Sequence, residues 1–515
     1  MITRSKAGIF KPKVYTTVLE HKEPDSVHEA LHNPNWFAAM KDEFDALTHN
    51  NTWSLVPRTG DQKIVGNKWV YRVKYNTDEE VFMDQPEGFV DNQRPNFVCK
   101  LHKSLYGLKQ APRAWYDKLK GYLLQWGFEN SQADTSLFIG GTTSSMIIVL
   151  IYVDDILITR QNNDDLEKFI AKFNATFALK DPGKLSYFLG IEVLYDKDCV
   201  YLSQRKYIRD LLSKVDMLDC KGIDTPMSTG LKLQKEIQGA LGQYIADPTL
   251  YRSNVGGMQY LVLTRPEIAF SVHKLSQYVS TPTLQHLMAC KRVLRYLKAT
   301  QDYRLKFMKY GDIKLTAFTD ADWACDLDDR KSVGAYCIYL GNNLISWSSK
   351  KQSVVTRSSA ESEYRSLASA SAELVWLQSL FSEMKLHCIE KPTIWCDNLS
   401  ATELARNLVY HSRTKHIEID MHFIRNKVVA GELSIHYIPS EEQIADIMTK
   451  PLSFTHFNYL RAKLNVHLCP LSLRGAVKEA HYAEHEKTEL GSTQVKLSEA
   501  VKQRNSPDYQ LSMIS

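Results

Sequence analysis

The last third of the chain carries the tightest constraint, a series of acids each set at the end or the start of a regular element. KLTAF runs into Asp320, VGAYCIYL and NLISW read as two more strands, and Ala360 to Met384 reads as a helix. Tyr364, Leu367, Leu374, Leu377 and Phe381 take its apolar positions, and Glu361 and Glu363 lie at its start. TIWC is a fourth strand ending at Asp397, two helical stretches lead to ELSIHYIP as a fifth, and a final helix expected from about Glu441 carries Asp446. The order β-β-β-α-β-α-β-α thus puts acids at strand ends and helix starts. Acids so placed can converge on one end of a sheet and hold two Mg2+ ions, hard cations that prefer carboxylate oxygen. Singly, each acid is a commonplace strand-end or helix-cap residue; the order carries the reading.

The clearest local signal in the first half is a hairpin. MIIVLIYV is an apolar, β-branched run, Asp154-Asp155 follows, and ILIT is a second run. Asp suits turns through local hydrogen bonding alone. A solvated turn, however, needs no matched apolar strands pressing two acids against a core edge. Adjacent carboxylates there would form a metal-binding pair able to hold a 3′-hydroxyl and a triphosphate for in-line displacement.

Composition limits the alternatives. A chain of 515 residues with 44% hydrophobic and 24% charged residues has the length of three to four ordinary domains. The net charge of +5 selects no partner, so nucleic-acid binding has to rest on local basic patches. The 9 cysteines are scattered, with no C-x-x-C pair and no zinc spacing, which reads as free thiols in a reducing compartment. The longest apolar stretch, Met146 to Val153, is too short to span a membrane, and the basic start MITRSKAGIFKPKVY has no apolar core of a secretion signal. The expectation is an intracellular protein, cytoplasmic or nuclear, not secreted and without a membrane partner.

The text around these features resembles one group. YVDD followed by ILIT is similar to the active-site motif of reverse transcriptases. NTWSLV, KWVYRVKYN, VCKLHKSLYGLKQAPRAWY, YFLGIEV, YLSQRKYI, YRSNVGGMQYL, FTDADWACD, SSAESEY, WCDN, HSRTKHIEID and ADIMTKPL resemble, in family order, the copia-type long-terminal-repeat retrotransposon Pol polyproteins of plants. The resemblance implies an α+β reverse transcriptase palm, here partial, a helical connection, and an α/β RNase H-like domain with a mixed five-stranded sheet and helices. The implied segments are an upstream linker over 1–32, a reverse transcriptase domain over 33–230, the connection over 231–305, the RNase H-like domain over 306–462 and a disordered tail over 463–515. In the connection Val293, Leu294 and Leu297 fit a packed face, while Lys291, Arg292, Arg295 and Lys298 give a basic side that reads as the solvated charges of a structural spacer.

For the polymerase the resemblance implies Asp154 and Asp155 as catalytic metal ligands. It further implies Gly107, Lys109 and Arg113 as residues near the nucleotide and template, with Gly107 permitting close backbone approach and the two cations meeting phosphates. The family also has a long block between KWVYRVKYN and FMDQPEGF that bears most of the fingers and a third catalytic Asp. Here Tyr75-Asn76-Thr77-Asp78 runs almost directly into Glu79-Glu80-Val81-Phe82-Met83. Asp84 is the nearest substitute, in a poor strand setting. The expectation is an inactive polymerase, since a two-metal site short of a ligand loses its preorganisation.

For the second enzyme the resemblance implies Asp320, Glu363, Asp397 and Asp446 as the catalytic, metal-binding carboxylates of an RNase H. Asp322, which reads as lying past its strand end, and Glu361 rank second. The cofactor implied is Mg2+, two ions per active site, with Mn2+ as a substitute. The partners implied are an RNA–DNA hybrid, an RNA template with a DNA primer, and dNTPs if the polymerase works; the oligomeric state is left open. Retroviral relatives carry a mobile His-bearing loop before the last acid. Pro439 to Asp446 has no room for it, which leaves His411 and His416 as the nearby histidines. The alternative reading is a non-catalytic nucleic-acid-binding or decayed retroelement fragment.

Overall fold

The computed structural model describes most of residues 27–469, with its longest breaks at 70–81, 102–110 and 407–417, and two short strands beyond, 492–497 and 513–514. The chain divides into two compact units, one formed by Met1–Trp126, Ala171–Lys180 and Lys496–Ser515, the other by Gly127–Ile170 and Asp181–Val495.

In the first unit, helix α1 (Pro34–His49) begins on a proline, whose missing N–H costs nothing in a first turn. Strand β1 (Trp53–Pro57) pairs antiparallel with β4 (Phe97–Leu101), and β3 (Phe82–Met83) lies between β4 and the two-residue β2 (Ile64–Val65). Met40, Met83, Val98 and Cys99 are buried, and the Phe44 ring stacks 4.7 Å from Phe89. Of FMDQP, read as poor strand material, only Phe82–Met83 form β3, with Met83 opposite Cys99, and Asp84 lies past its end. Of the strand expected over Trp69–Tyr75, only Trp69 lies among the described residues. Helix α2 (Ala111–Gln125) spends its aromatic positions on packing: Trp115 and Tyr122 meet the Phe177 ring edge-on at 5.4 and 5.2 Å.

The second unit opens with the antiparallel strands β5 (Leu137–Gly140), β6 (Ile147–Tyr152) and β7 (Asp155–Arg160), the partial palm with its hairpin. Strands β8 (Ile191–Tyr195) and β9 (Cys199–Ser203) follow, then helices α3 (Arg205–Lys214), α4 (Thr249–Leu261), α5 (Ala269–Ser276) and α6 (Leu284–Ala299). Strand β10 (Tyr303–Met308) returns to pair with β9.

A mixed five-stranded sheet completes the fold. Strands β11 (Leu315–Asp322), β12 (Val333–Leu340) and β13 (Asn343–Lys351) form an antiparallel meander. After the long helix α7 (Ser359–Glu383), strand β14 (Thr393–Cys396) joins parallel to β11. Helices α8 (Leu399–Arg406) and α9 (Glu418–Val429) lead to β15 (Ser434–Tyr437), parallel to β14. The order β13-β12-β11-β14-β15, with helices against the sheet, is the RNase H-like α/β architecture that the motifs implied. Helix α10 (Phe454–Lys463) and strand β16 (Val466–Leu468) close the unit.

Two segment boundaries differ from expectation. The border drawn at residue 306 falls inside β10, and the tail drawn from 463 contains β16, which pairs with β10. Asn465 takes φ +62°, a conformation Asn tolerates, and this turns the chain from α10 back into the sheet with Leu464 and Val466 buried. In the connection the face expected to pack does so, and two of the basic-side charges also bond a loop. Its Val293, Leu294 and Leu297 share one core with Val333, Ala335 and Cys337 of β12. Arg292 donates to Thr225 Oγ1 at 2.9 Å and Arg295 to the Lys221 carbonyl at 2.7 Å, so these cations tie down a loop. Its ion pairs are buried as well, Arg265 with Glu267 and Lys274 with Asp326.

Candidate metal centre

The parallel ladder between β11 and β14 sets Thr319 beside Cys396, so the next residues, Asp320 still within β11 and Asp397 just past β14, lie at the same level. Carboxyl ends of neighbouring parallel strands are where α/β folds gather ligands. Asp320 is 2% exposed, held at this edge by the strand itself.

Glu363 arrives from α7, and the start of that helix shows why Glu361 does not. Ser358 is the N-cap, its Oγ accepting from the Glu361 N–H at 3.2 Å, while Glu361 reaches back to accept from the Arg357 N–H at 2.9 Å. This reciprocal cap occupies Glu361 and leaves Glu363, a half-turn on, facing the strand ends. Its carboxyl group is close enough to the Ala321 backbone and the Asp320 carboxyl to be shifted by both, and Cys396 Sγ points at its Oε2 from 3.9 Å. Close helix–sheet approach is permitted by Gly334 of β12, where a Cβ would sit 2.4 Å from Ser366 Oγ.

Asp446 comes from a short 3-10 helix, Ile444–Met448, rather than from the α-helix expected from Glu441. Gln443 makes this turn possible. Fully buried, it donates from Nε2 to the Thr319 carbonyl at 2.8 Å and accepts from the Ala445 N–H at 3.2 Å. Thr449 donates its hydroxyl to Asp320 Oδ2, and Lys450 Nζ lies 2.9 Å from Asp446 Oδ1 and 3.8 Å from Asp320 Oδ2. Ser440 Oγ donates to Asp397 Oδ2 at 2.7 Å. Sequence reasoning passed over Gln443, Thr449 and Lys450; the last two stand at +3 and +4 from Asp446, one turn along a helix, which was the available signal.

Two sets of donors therefore converge, with Asp397 common to both: Asp320, Asp397 and Asp446, and Glu363, Cys396 and Asp397, each with ligand atoms within 4.8 Å of one another. Burial, then the Asp320 charge, raises the carboxyl groups of Glu363, Asp397 and Asp446, the last to about 8. Such crowding is what a bound cation would relieve. The all-oxygen set suits a hard divalent ion, whereas burial also pushes the Cys396 thiol up and away from its ligating form. Asp322 is the last residue of β11, not beyond its end, and burial followed by Asp320 raises it too.

The polymerase residues are less completely placed. Asp154, Gly107, Lys109, His411 and His416 lie outside the described residues. Asp155 opens β7 opposite Tyr152, which leaves a two-residue loop whose first residue, Val153, has φ +54°. A β-branched residue in that region is strained, a cost of order 1–3 kcal/mol that the flanking ladder must hold. Arg113 is exposed and faces Asp117 at 3.9 Å. Asp84 belongs to the first unit, is about half exposed at 48%, and lies 3.7 Å from Arg58.

Comparison with known proteins agrees with the motifs. Residues 74–229 match the family model described as reverse transcriptase (RNA-dependent DNA polymerase). The chain is 41% identical to the retrovirus-related Pol polyprotein from transposon RE1 of Arabidopsis thaliana, over 92% of this chain but 37% of that protein. It is 30% identical to the putative transposon Ty5-1 protein YCL074W of Saccharomyces cerevisiae, over 56% of this chain and 93% of that protein. Among solved structures, a foamy viral protease-reverse transcriptase in complex with RNA/DNA hybrid aligns with 70% of this chain and 41% of its own, at TM-score 0.37 and 10% identity. LC11-RNase H1 aligns with 27% of this chain and 93% of its own, at TM-score 0.22 and 17% identity. On the strength of the sequence relationships the chain belongs to the copia-type, retrovirus-related Pol polyproteins of transposons, and it spans about 37% of the length of the Arabidopsis relative.

Proposed function

We propose that this chain is a retrotransposon-derived reverse transcriptase and RNase H fragment whose working activity is hydrolysis of the RNA strand of an RNA–DNA hybrid. The observation that carries the reading is the convergence of Asp320, Asp397 and Asp446 oxygens within 4.8 Å, with Glu363 equally close to Asp397. Mg2+, or Mn2+ in its place, is the cofactor such a set suits, and two such ions when bound would supply the Lewis acidity that phosphodiester hydrolysis requires. The chain's own part is preorganisation. The β11–β14 ladder fixes Asp320 and Asp397, the Ser358 cap fixes Glu363, and Gln443 fixes the turn that bears Asp446. The 231–305 helices, packed on the same core as the sheet, belong to this domain's support.

The polymerase is read as inactive. The alignment with the Arabidopsis polyprotein runs over 542 residues but takes in 92% of 515, about 474, so about 70 aligned positions lack a counterpart here. The family resemblance puts the missing fingers and third carboxylate at the junction 75–81, and Asp84, half-exposed beside Arg58, is no replacement for a strand-borne ligand. The RNA template, DNA primer and dNTPs would then be partners of the longer relatives, the hybrid the partner of this chain. Among the described residues no helix is long and apolar enough to cross a membrane, and residence in the cytoplasm or nucleus belongs to the same reading. One preparation offered two substrates tests it: a labelled hybrid should be cut, and a primed RNA template with dNTPs should not be extended. Robust extension would remove the claim about the polymerase.

A further inference from the structure

The acid cluster is not evenly charged around its rim. Among the described residues no Lys or Arg forms an ion pair with Glu363 or Asp397, whereas Lys450 reaches both Asp446 and Asp320, at 2.9 and 3.8 Å. Its backbone is tethered, since the Lys450 N–H donates to the Asp446 carbonyl at 3.2 Å and the neighbouring Thr449 hydroxyl bonds that same carbonyl and Asp320. The side chain is not enclosed: it is 35% exposed, while those of Asp320 and Asp446 are 4% and 6% exposed. A flexible four-carbon stem on a fixed backbone, with its ammonium at a buried carboxylate pair and a route to solvent, can exchange places with another cation.

We propose that Lys450 is a built-in counter-ion that occupies the Asp320–Asp446 edge of the cluster and must leave before a divalent cation can take both carboxylates. The inference rests on reading the cluster as a divalent-cation centre. It makes the two edges unequal: the ammonium is in contact with Asp446 and near Asp320, whereas it reaches Asp397 only at longer range and forms no ion pair with Glu363. The phosphates of a bound nucleic acid are the natural destination of the displaced ammonium, so substrate would open the guarded edge. Lys450 then acts as a positioning residue, and the missing His-bearing loop is replaced by a charge already inside the site.

The test is Mn2+ binding to the full chain without nucleic acid, followed by calorimetry and by the electron spin resonance signal of free Mn2+. Lys450→Met should bind Mn2+ at least about fivefold more tightly at the affected edge, or gain a second measurable site, because an opposing charge at contact distance has been removed. Lys450→Gln should do the same, and Lys450→Arg should retain the wild-type isotherm. In a thermal melt, Lys450→Met should unfold earlier than wild type in EDTA and gain more from Mn2+. Unchanged or weaker Mn2+ binding in both neutral variants, with wild-type binding abolished by Asp397→Asn, would overturn the role of Lys450 and leave the cation centre standing. No Mn2+ binding in wild type would overturn both.

Discussion

Gln443 Nε2 donates to the carbonyl of Thr319 at 2.8 Å, and with the Thr449 hydroxyl on Asp320 this bond ties the segment bearing Asp446 to the strand bearing Asp320. Both ends of the amide are used, since Oε1 accepts from the Ala445 N–H. Gln443→Leu keeps the volume and strands a buried carbonyl and an amide. We expect a loss of about 1–3 kcal/mol in denaturant unfolding and a drop in hybrid cleavage larger than the fraction unfolded explains. Equal stability and activity to wild type would show that Asp446 is positioned by something else.

Arg265 and Glu267 are 1% and 0% exposed and 2.7 Å apart, with Arg265 also donating to the Thr300 carbonyl and hydroxyl, and Tyr296 donating to Glu267. Arg265→Met removes the cation and leaves a buried carboxylate, which should cost about 3–5 kcal/mol. The double change Arg265→Met with Glu267→Leu should recover part of that loss, as read by urea midpoints. Failure of the double variant to recover any stability would mean that the hydrogen bonds to Thr300 and Tyr296 matter more than the charge.

His273 is neutral in the fold. Burial, then the charges of Lys274, Lys351 and Lys350, pushes it to about 4, and its Nε2 accepts from the Lys351 N–H at 2.9 Å. An imidazole with a depressed folded value contributes fully above its unfolded value of 6.5 and loses its contribution as pH falls toward 4, because only the unfolded chain takes up the proton. Stability should therefore decline between pH 6.5 and 4, by up to about 1.4 kcal/mol per pH unit from this group. His273→Gln, which keeps an acceptor for the Lys351 N–H, should flatten that slope in urea titrations at pH 7, 5.5 and 4.5. An unaltered slope would place the acid sensitivity in other groups.

Gly334 lies where α7 approaches the sheet. A methyl group there would meet Ser366 Oγ at 2.4 Å and Gln352 Nε2 at 3.2 Å. Gly334→Ala should destabilise by about 1–3 kcal/mol and, by shifting α7, should lower cleavage through Glu363. Pairing it with Ser366→Gly, which removes the colliding hydroxymethyl group, should restore much of the melting temperature; no restoration would locate the strain elsewhere.

The legible parts of this molecule are those whose information is local. Alternating apolar runs with an acid at the end gave β11 and β14, and the Ile147–Tyr152 and Asp155–Arg160 hairpin follows from two matched runs around two residues. Glu363 over Glu361 was a choice carried by resemblance; the S-x-x-E spacing from Ser358 supplies the physical reason, a cap that consumes Glu361. What the sequence did not reveal depends on distant partners. Val466 has no local signal that it will pair with Leu305, 161 positions earlier. Nothing local shows that the Arg265–Glu267 pair will be buried, or that Lys274 will meet Asp326 52 positions on. A 3-10 turn at Asp446 in place of a helix depends on Gln443 finding the Thr319 carbonyl, a contact across 124 positions.

The most direct measurement is cleavage of a labelled RNA–DNA hybrid by the full chain in Mg2+ and in EDTA, beside Asp397→Asn, the carboxylate common to both donor sets. The account predicts cutting of the RNA strand that EDTA abolishes and that the substitution reduces by about a hundredfold or more, with the variant's melting curve intact. Folded protein that binds the hybrid without cutting it, or cuts it equally well as Asp397→Asn, would contradict the account and leave a nucleic-acid-binding remnant in place of an enzyme.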